Sequence, residues 1–437
     1  MIQPGLRSAL LLFAAVLTLV GTALVGPRPA LAEDEPTPRY ELHLSPTLGA
    51  ETGARLVGSA VTGTGTGEER LFRPLGSGRG GIAARAARTL VWDAPMAWWF
   101  GVALHEGFGH GGRAREFSAS PGVHLGSPWG GRDSYATFDL EGTSTEQQLY
   151  IYIGGTEANT FAAGFLERRA VEGVRLRPID LLHLLSNRLV ASDYILRTTP
   201  NPRTSPARFY AEYIGGGDVA NYLGLLHQLH GTGTGITPTS TDATIEREYR
   251  RLRHQAFWNA LDPGAWWALA SAMRLAARGD DTAPVPLPRA GGFRFLPVLS
   301  NEWTPSGGEA SLEWIMAPAV QAAGGFASST AAPGATRRPR TFSFIARRGR
   351  GPSGAFGALG AAAEDLVPAR RFLLGGAAEI WDDPRNGLGG GARVRARLTR
   401  GYLRGLYLDL GVKSQGYWVA QPATPGPYLA LGLLSGD

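Results

Sequence analysis

The chain has 437 residues, no cysteine, and a formal net charge of +6 carried almost wholly by arginine, since Lys413 is its only lysine. The lack of cysteine excludes a disulfide framework, a lipoprotein anchor and any thiolate-held zinc. Dispersed arginines argue against nucleic-acid binding, and Gly411-Val412-Lys413-Ser414 lacks the glycine spacing of a phosphate loop.

Arg7, the apolar run 9–25 and Ala30-Leu31-Ala32 read as a secretory signal over residues 1–32. An uncleaved membrane anchor is the alternative. Export without disulfides points to the periplasm or outer membrane of a Gram-negative-type bacterium. Residues 33–89 form a Gly/Thr/Pro-rich segment in which 62–67 reads as flexible low complexity, although 40–44 alternates like a short strand.

From 90 to 278 the pattern is mainly helical. Asp93 is placed to cap a helix with Pro95 in its first turn. That helix is apolar nearly all round through Trp98, Trp99 and Phe100, and so reads as a buried core element. Ser144-x-x-Gln147 forms a capping box for a helix that Gly154-Gly155 should interrupt. Further helices are expected over 178–196, 245–258 and 263–277. Residues 279–289, with Pro284, Pro286 and Pro288, make a linker.

Beyond the linker the period changes from near 3.6 to 2. Strands are expected over 293–299, 310–317, 341–347, 371–380, 393–398, 406–413, 416–421 and 428–434. The fold class is therefore α+β: an N-terminal mainly helical domain, then a C-terminal antiparallel β-barrel over 290–437. That barrel would show lipid an apolar face and line its lumen with arginine, glycine and small residues. A soluble β-sandwich carries the same alternation and is the alternative.

The chemistry is concentrated in His105-Glu106-Gly107-Phe108-Gly109-His110. Two imidazoles and a carboxylate within six residues are the makings of a metal site with its own general base. On a regular α-helix, however, residues five apart lie about 140° apart around the axis. Joint ligation therefore needs a bulge or a helix end, and Gly107 and Gly109 tolerate either. A different set, Glu106 with His110 at i,i+4, keeps regular geometry but spends the base as a ligand.

These six residues resemble the HExxxH motif of the dipeptidyl peptidase III type of zinc metallopeptidase, a gluzincin-like site. The resemblance implies that His105 and His110 bind zinc, that Glu106 activates water, and that a helical glutamate downstream is the third ligand. The matching position is Glu157 in Gly155-Thr156-Glu157, which lacks the first acid of that family's paired acidic motif. Tyr222 and His227, with His230 near them, are candidate oxyanion donors, and Asn159, Asp193 and Asp218 are candidates to orient the histidines. The expected function is an exported zinc hydrolase, most simply a metallopeptidase acting on a peptide or other amide of the envelope. The alternatives are a non-catalytic outer-membrane β-barrel with a helical periplasmic binding or assembly domain, and a soluble periplasmic binding protein.

Overall fold

The computed structural model describes residues 39–72, 74, 78–130, 133–197, 217–231, 243–278, 285–319, 341–369 and 372–435. The expected signal, 1–32, and the first part of the linker, 279–284, lie outside the described residues.

Strand β1 (Tyr40–Leu44) leads into α1 (Ala50–Phe72). This 23-residue helix runs straight through 62–67, where flexible low complexity was expected. The glycines are contact positions: a Cβ at Gly65 would come within 2.6 Å of the Arg177 side chain. Thr62 donates to Asp180 at 3.1 Å in the same interface. Tertiary packing thus overrides weak helix propensity.

One helical run then covers 79–116. It comprises α2 (Arg79–Arg88), a π-helical segment (Thr89–Asp93), α3 (Ala94–Ala103), a second π segment (Leu104–His110) and α4 (Gly111–Glu116). Asp93 does not cap α3, because the backbone is helical through it; its carboxylate accepts from Arg88 at 3.2 Å. Nor is α3 a core helix. Only Ala97 and Gly101 are buried, and Trp98 is 48% exposed.

A small hairpin, β2 (Gly122–His124) with β3 (Tyr135–Thr137), precedes α5 (Thr145–Glu172). The capping box of Ser144 and Gln147 opens α5, which continues unbroken through Gly154-Gly155. Helices α6 (Pro178–Arg197), α7 (Asp218–Leu229), α8 (Ala243–Ala260) and α9 (Pro263–Arg278) follow. Among the described residues no helix is long and apolar enough to cross a membrane.

The remaining strands are β4 (Arg289–Ala290), β5 (Phe293–Thr304), β6 (Gly307–Pro318), β7 (Thr341–Gly351), β8 (Gly354–Ala369), β9 (Phe372–Asp383), β10 (Gly387–Leu398), β11 (Leu406–Lys413) and β12 (Gly426–Ser435). With β1 they form one ten-stranded antiparallel sheet in the order β1-β12-β11-β10-β9-β8-β7-β6-β5-β4. The chain is thus a helical region followed by an antiparallel sheet, and the single sheet replaces the two of a sandwich. Residues 416–421 form no strand; Tyr417 and Trp418 tuck inward from that loop.

The sheet does not close: no ladder among the described residues joins β1 to β4 or β5. Side chains of the helical region terminate both edges instead. Ser59 of α1 accepts from the Glu41 amide at 2.7 Å and donates to the Glu41 carbonyl at 2.9 Å. On β5 the amide of Leu299 donates to Asp262 at 2.8 Å and that of Asn301 to Asn259 at 2.7 Å. Edge amides so occupied cannot recruit another strand. Asp262 also accepts from Ala265 at 2.8 Å in the first turn of α9. Asp262→Ala is therefore expected to cost roughly 2–4 kcal/mol, a lost cap plus an unmet buried amide, read as a lower unfolding midpoint.

The two faces of the sheet invert the usual partition. Leu42, Leu431, Leu410, Val394, Ile380, Leu359, Phe344 and Trp314, on eight successive strands, are exposed on the convex face. The concave face is polar. Arg347 pairs with Glu309 at 2.8 Å and with Glu379, and Arg395 pairs with Asp409 at 2.6 Å. Glu41 and Glu51 are bound to Arg55 of α1. Helix α5 lies in this concavity, leaving a cavity of 130 Å³ between Phe161, Gly164 and Arg168 and the inward residues of β5–β10.

Candidate metal centre

The second π segment answers the spacing problem of the two histidines. Its i→i+5 hydrogen bonding takes one extra residue into the turn, which brings His105 and His110 to one side. Their rings lie 4.7 Å apart between centroids and the Nε2 atoms 3.1 Å apart. Of the two glycines, Gly109 is the one that packing requires. A Cβ there would stand 2.5 Å from the Gly154 carbonyl oxygen and 2.6 Å from the Gly155 Cα, whereas Gly107 has open space. Gly155 in turn leaves room for the His105 imidazole, which a Cβ would overlap. Gly154-Gly155 is thus a docking seat on α5, the reason it need not break the helix. Gly155→Ala is expected to weaken metal binding by about 10–100-fold, checked by competition with a chelator.

Hydrogen bonds fix both tautomers. His110 Nδ1 lies 2.7 Å from the Ile151 carbonyl oxygen, which can only accept. His105 Nδ1 lies 2.6 Å from Asn159 Oδ1. The Asn159 amide nitrogen already donates to the Gly101 carbonyl at 3.0 Å and to Asn187 Oδ1 at 2.6 Å, so its oxygen is the acceptor for His105. Both Nδ1 atoms therefore carry hydrogen, and both Nε2 atoms turn lone pairs inward.

The third member is Asp218, the first residue of α7, with Oδ2 3.2 Å from His105 Nε2 and 3.3 Å from His110 Nε2. Three acceptors thus converge where a donor or a cation is needed. Ligand atoms around a tetrahedral zinc with bonds of 2.0–2.1 Å are about 3.3 Å apart, so this triangle has the right edge. A proton can also supply the charge. Burial opposes an imidazolium at His110, but the Asp218 carboxylate, with smaller help from Glu106 and the Ile151 carbonyl, raises it to about 9. Burial likewise opposes the Asp218 anion, and His110 and His105 outweigh it, holding that carboxyl well below its ordinary range.

Glu106 is buried on the same π turn, and its carboxylate has no hydrogen-bonding partner among the described residues. Tyr194 of α6 stacks on His105 at 5.3 Å and 12°. Burial first, and then the charges of Asp218 and Glu106, push its phenol well above the ordinary range, so the hydroxyl stays a donor. Phe138 lies against His110, with Tyr152 edge-on behind it.

Other candidates lie elsewhere. Glu157 does not approach the histidines: Arg113 donates to its two oxygens at 2.9 and 2.5 Å, and the Ala420 amide donates to it at 2.8 Å. Asp218 stands where Glu157 was expected. Tyr222 is buried against Trp303 and donates to the Thr304 carbonyl at 3.0 Å, which fixes α7 to the sheet. His227 is buried on α7 outside the group of three. His230 meets the Pro305 carbonyl at 3.0 Å, and Asp193 pairs with Arg197 at 2.6 Å. Asn159 orients His105, while Asp218 joins the acceptors themselves.

A second group, His43, Glu51 and Asp409, is also close enough to hold an ion. Arg55, Arg393 and Arg395 already pair with its carboxylates, which leaves no net charge for a cation. Comparison with protein-family models, with curated proteins and with solved structures finds no match for this chain.

Proposed function

We propose that this protein is a membrane-anchored, metal-dependent hydrolase of amide bonds, most simply a zinc metallopeptidase of gluzincin-like chemistry. The observation that carries the reading is the convergence of His105, His110 and Asp218 as three acceptors without a donor. Two neutral imidazoles and one carboxylate suit zinc better than magnesium or calcium, which take oxygen shells. Held by His105, His110 and Asp218, zinc would lower the pKa of a coordinated water to about 7 and polarise a carbonyl.

Glu106 takes one proton from the attacking water, whose oxygen bonds to the acyl carbon. It delivers that proton to the nitrogen as the C–N bond breaks, leaving a carboxylic acid and an amine. Tyr194 supplies a hydroxyl for the oxyanion, the role first sought in Tyr222 and His227. Asn159 and the Ile151 carbonyl hold the imidazoles in the ligating tautomer.

Anchoring rests on the inverted sheet. An apolar outer face over a charged interior is the partition of outer-membrane barrels, here with helices filling the gap between β1 and β5. The signal-like residues 1–32 support export, and with the inverted sheet they favour the outer membrane.

A non-catalytic outer-membrane protein is the competing reading, favoured by the proton that His110 alone can hold. Metal analysis separates the two. Purified protein should carry about one zinc per chain, and a chelator should remove the metal together with peptide turnover. Protein that neither contains nor takes up zinc refutes the hydrolase.

A further inference from the structure

The depth of the metal centre along the sheet bears on its substrate. Helix α5 spans the sheet from rim to rim. At its start Glu146 pairs with Arg385 of the β9–β10 turn at 3.3 Å. At its end Glu172 meets Thr341, the first residue of β7, at 3.3 Å, and pairs with Arg39 just before β1. Its 28 residues measure about 42 Å. The histidines touch α5 at Ile151, Gly155 and Asn159, which places the centre roughly 9–21 Å in from the β9–β10 rim.

The helical run carrying the histidines is antiparallel to α5: His110 lies by Ile151, His105 by Gly155, and the Gly101 carbonyl by Asn159. Its earlier residues therefore lie deeper: at the same rise Trp98 is about 25 Å in and Leu90–Trp92 about 35 Å in, toward the opposite rim. There the run is apolar and exposed. Leu90, Val91 and Trp92 on the first π segment and Trp98 on α3 face outward, with Trp129 packed 5.2 Å from Trp92. Val394, exposed on the convex face, lies about 23 Å along β10 from the β9–β10 turn, so Trp98 stands at the height of that apolar face.

We propose that the metal centre works at bilayer depth and takes as substrate an amide carrying an acyl chain, which reaches it from the hydrocarbon along the α3 flank. The inference rests on the hydrolase reading and deepens it. Phe138 and Tyr194 supply apolar walls beside the histidines, and α3 runs directly into the ligand-bearing turn. A site for soluble peptides has no use for a tryptophan-rich exposed flank; a site fed by lipid does.

The test uses the full chain, zinc-loaded, in phosphatidylcholine vesicles. A mixed-sequence fluorogenic peptide is offered N-palmitoylated in the same vesicles, and N-acetylated in solution. We expect kcat/KM to be at least about tenfold higher for the palmitoylated form. Trp98→Arg should lower that rate while bound zinc stays the same. Because the chain has no cysteine, Trp98→Cys gives a unique label site, and mid-chain nitroxide lipids should quench the label. Equal turnover of the two peptides, or quenching by aqueous iodide alone, overturns this inference and leaves the hydrolase standing. Bound zinc with turnover of neither peptide overturns both.

Discussion

Glu106→Gln is expected to keep its zinc and lose turnover by about 10²–10⁴-fold, the loss that follows removal of a general base. Glutamine preserves the shape of the side chain but cannot take the proton from water. His110→Ala and Asp218→Ala should instead lose the metal, because each removes one of three converging acceptors. Glu157→Gln is the discriminating control. Its carboxylate is engaged by Arg113 and the Ala420 amide, so the variant should retain metal and lose stability. Metal lost from Glu157→Gln and retained by Asp218→Ala would reverse the ligand assignment. Zinc per chain by mass spectrometry, beside the rate, separates these outcomes.

Arg347→Met is expected to destabilise the protein by about 3–5 kcal/mol, the cost of leaving buried charges without their partner. The guanidinium lies inside the sheet between Glu309 and Glu379, and it faces the ring of Tyr417 at 5.9 Å. Methionine matches much of the volume but leaves two buried carboxylates facing each other. The double replacement of Glu309 and Glu379 by Gln in the Arg347→Met background should recover part of the loss. Heat unfolding in detergent reads both, and a change under about 1 kcal/mol for Arg347→Met would mean that solvent reaches the interior.

Periodicity disclosed most of the sheet, because every second residue of β10 and β11 is apolar and the alternation is a local property. Strand β8 was silent, since its Gly- and Ala-rich stretch alternates too weakly to register. Alternation also says nothing about which face is buried, so barrel and sandwich looked alike. The same limit applies to α3, whose apolar surface suggested a core helix and proved half outward. The i,i+5 spacing announced that a regular helix could not serve both histidines, and the π turn is what the fold supplies. Asp218 was invisible as a ligand because it lies 108 residues beyond His110, joined to it by no motif.

Local pattern sufficed for whatever a few consecutive residues govern: the capping box of α5, the change of period after residue 289, and the pairing of imidazoles with an acid at 105–110. Long-range packing settled the rest. It made a helix of 62–67, drew Glu157 to Arg113, set Asp218 against the histidines, and turned the charged face of the sheet inward around α5. Convergence of the three acceptors and choice of buried face are properties of contacts between distant segments, and no short-range period in a chain encodes them.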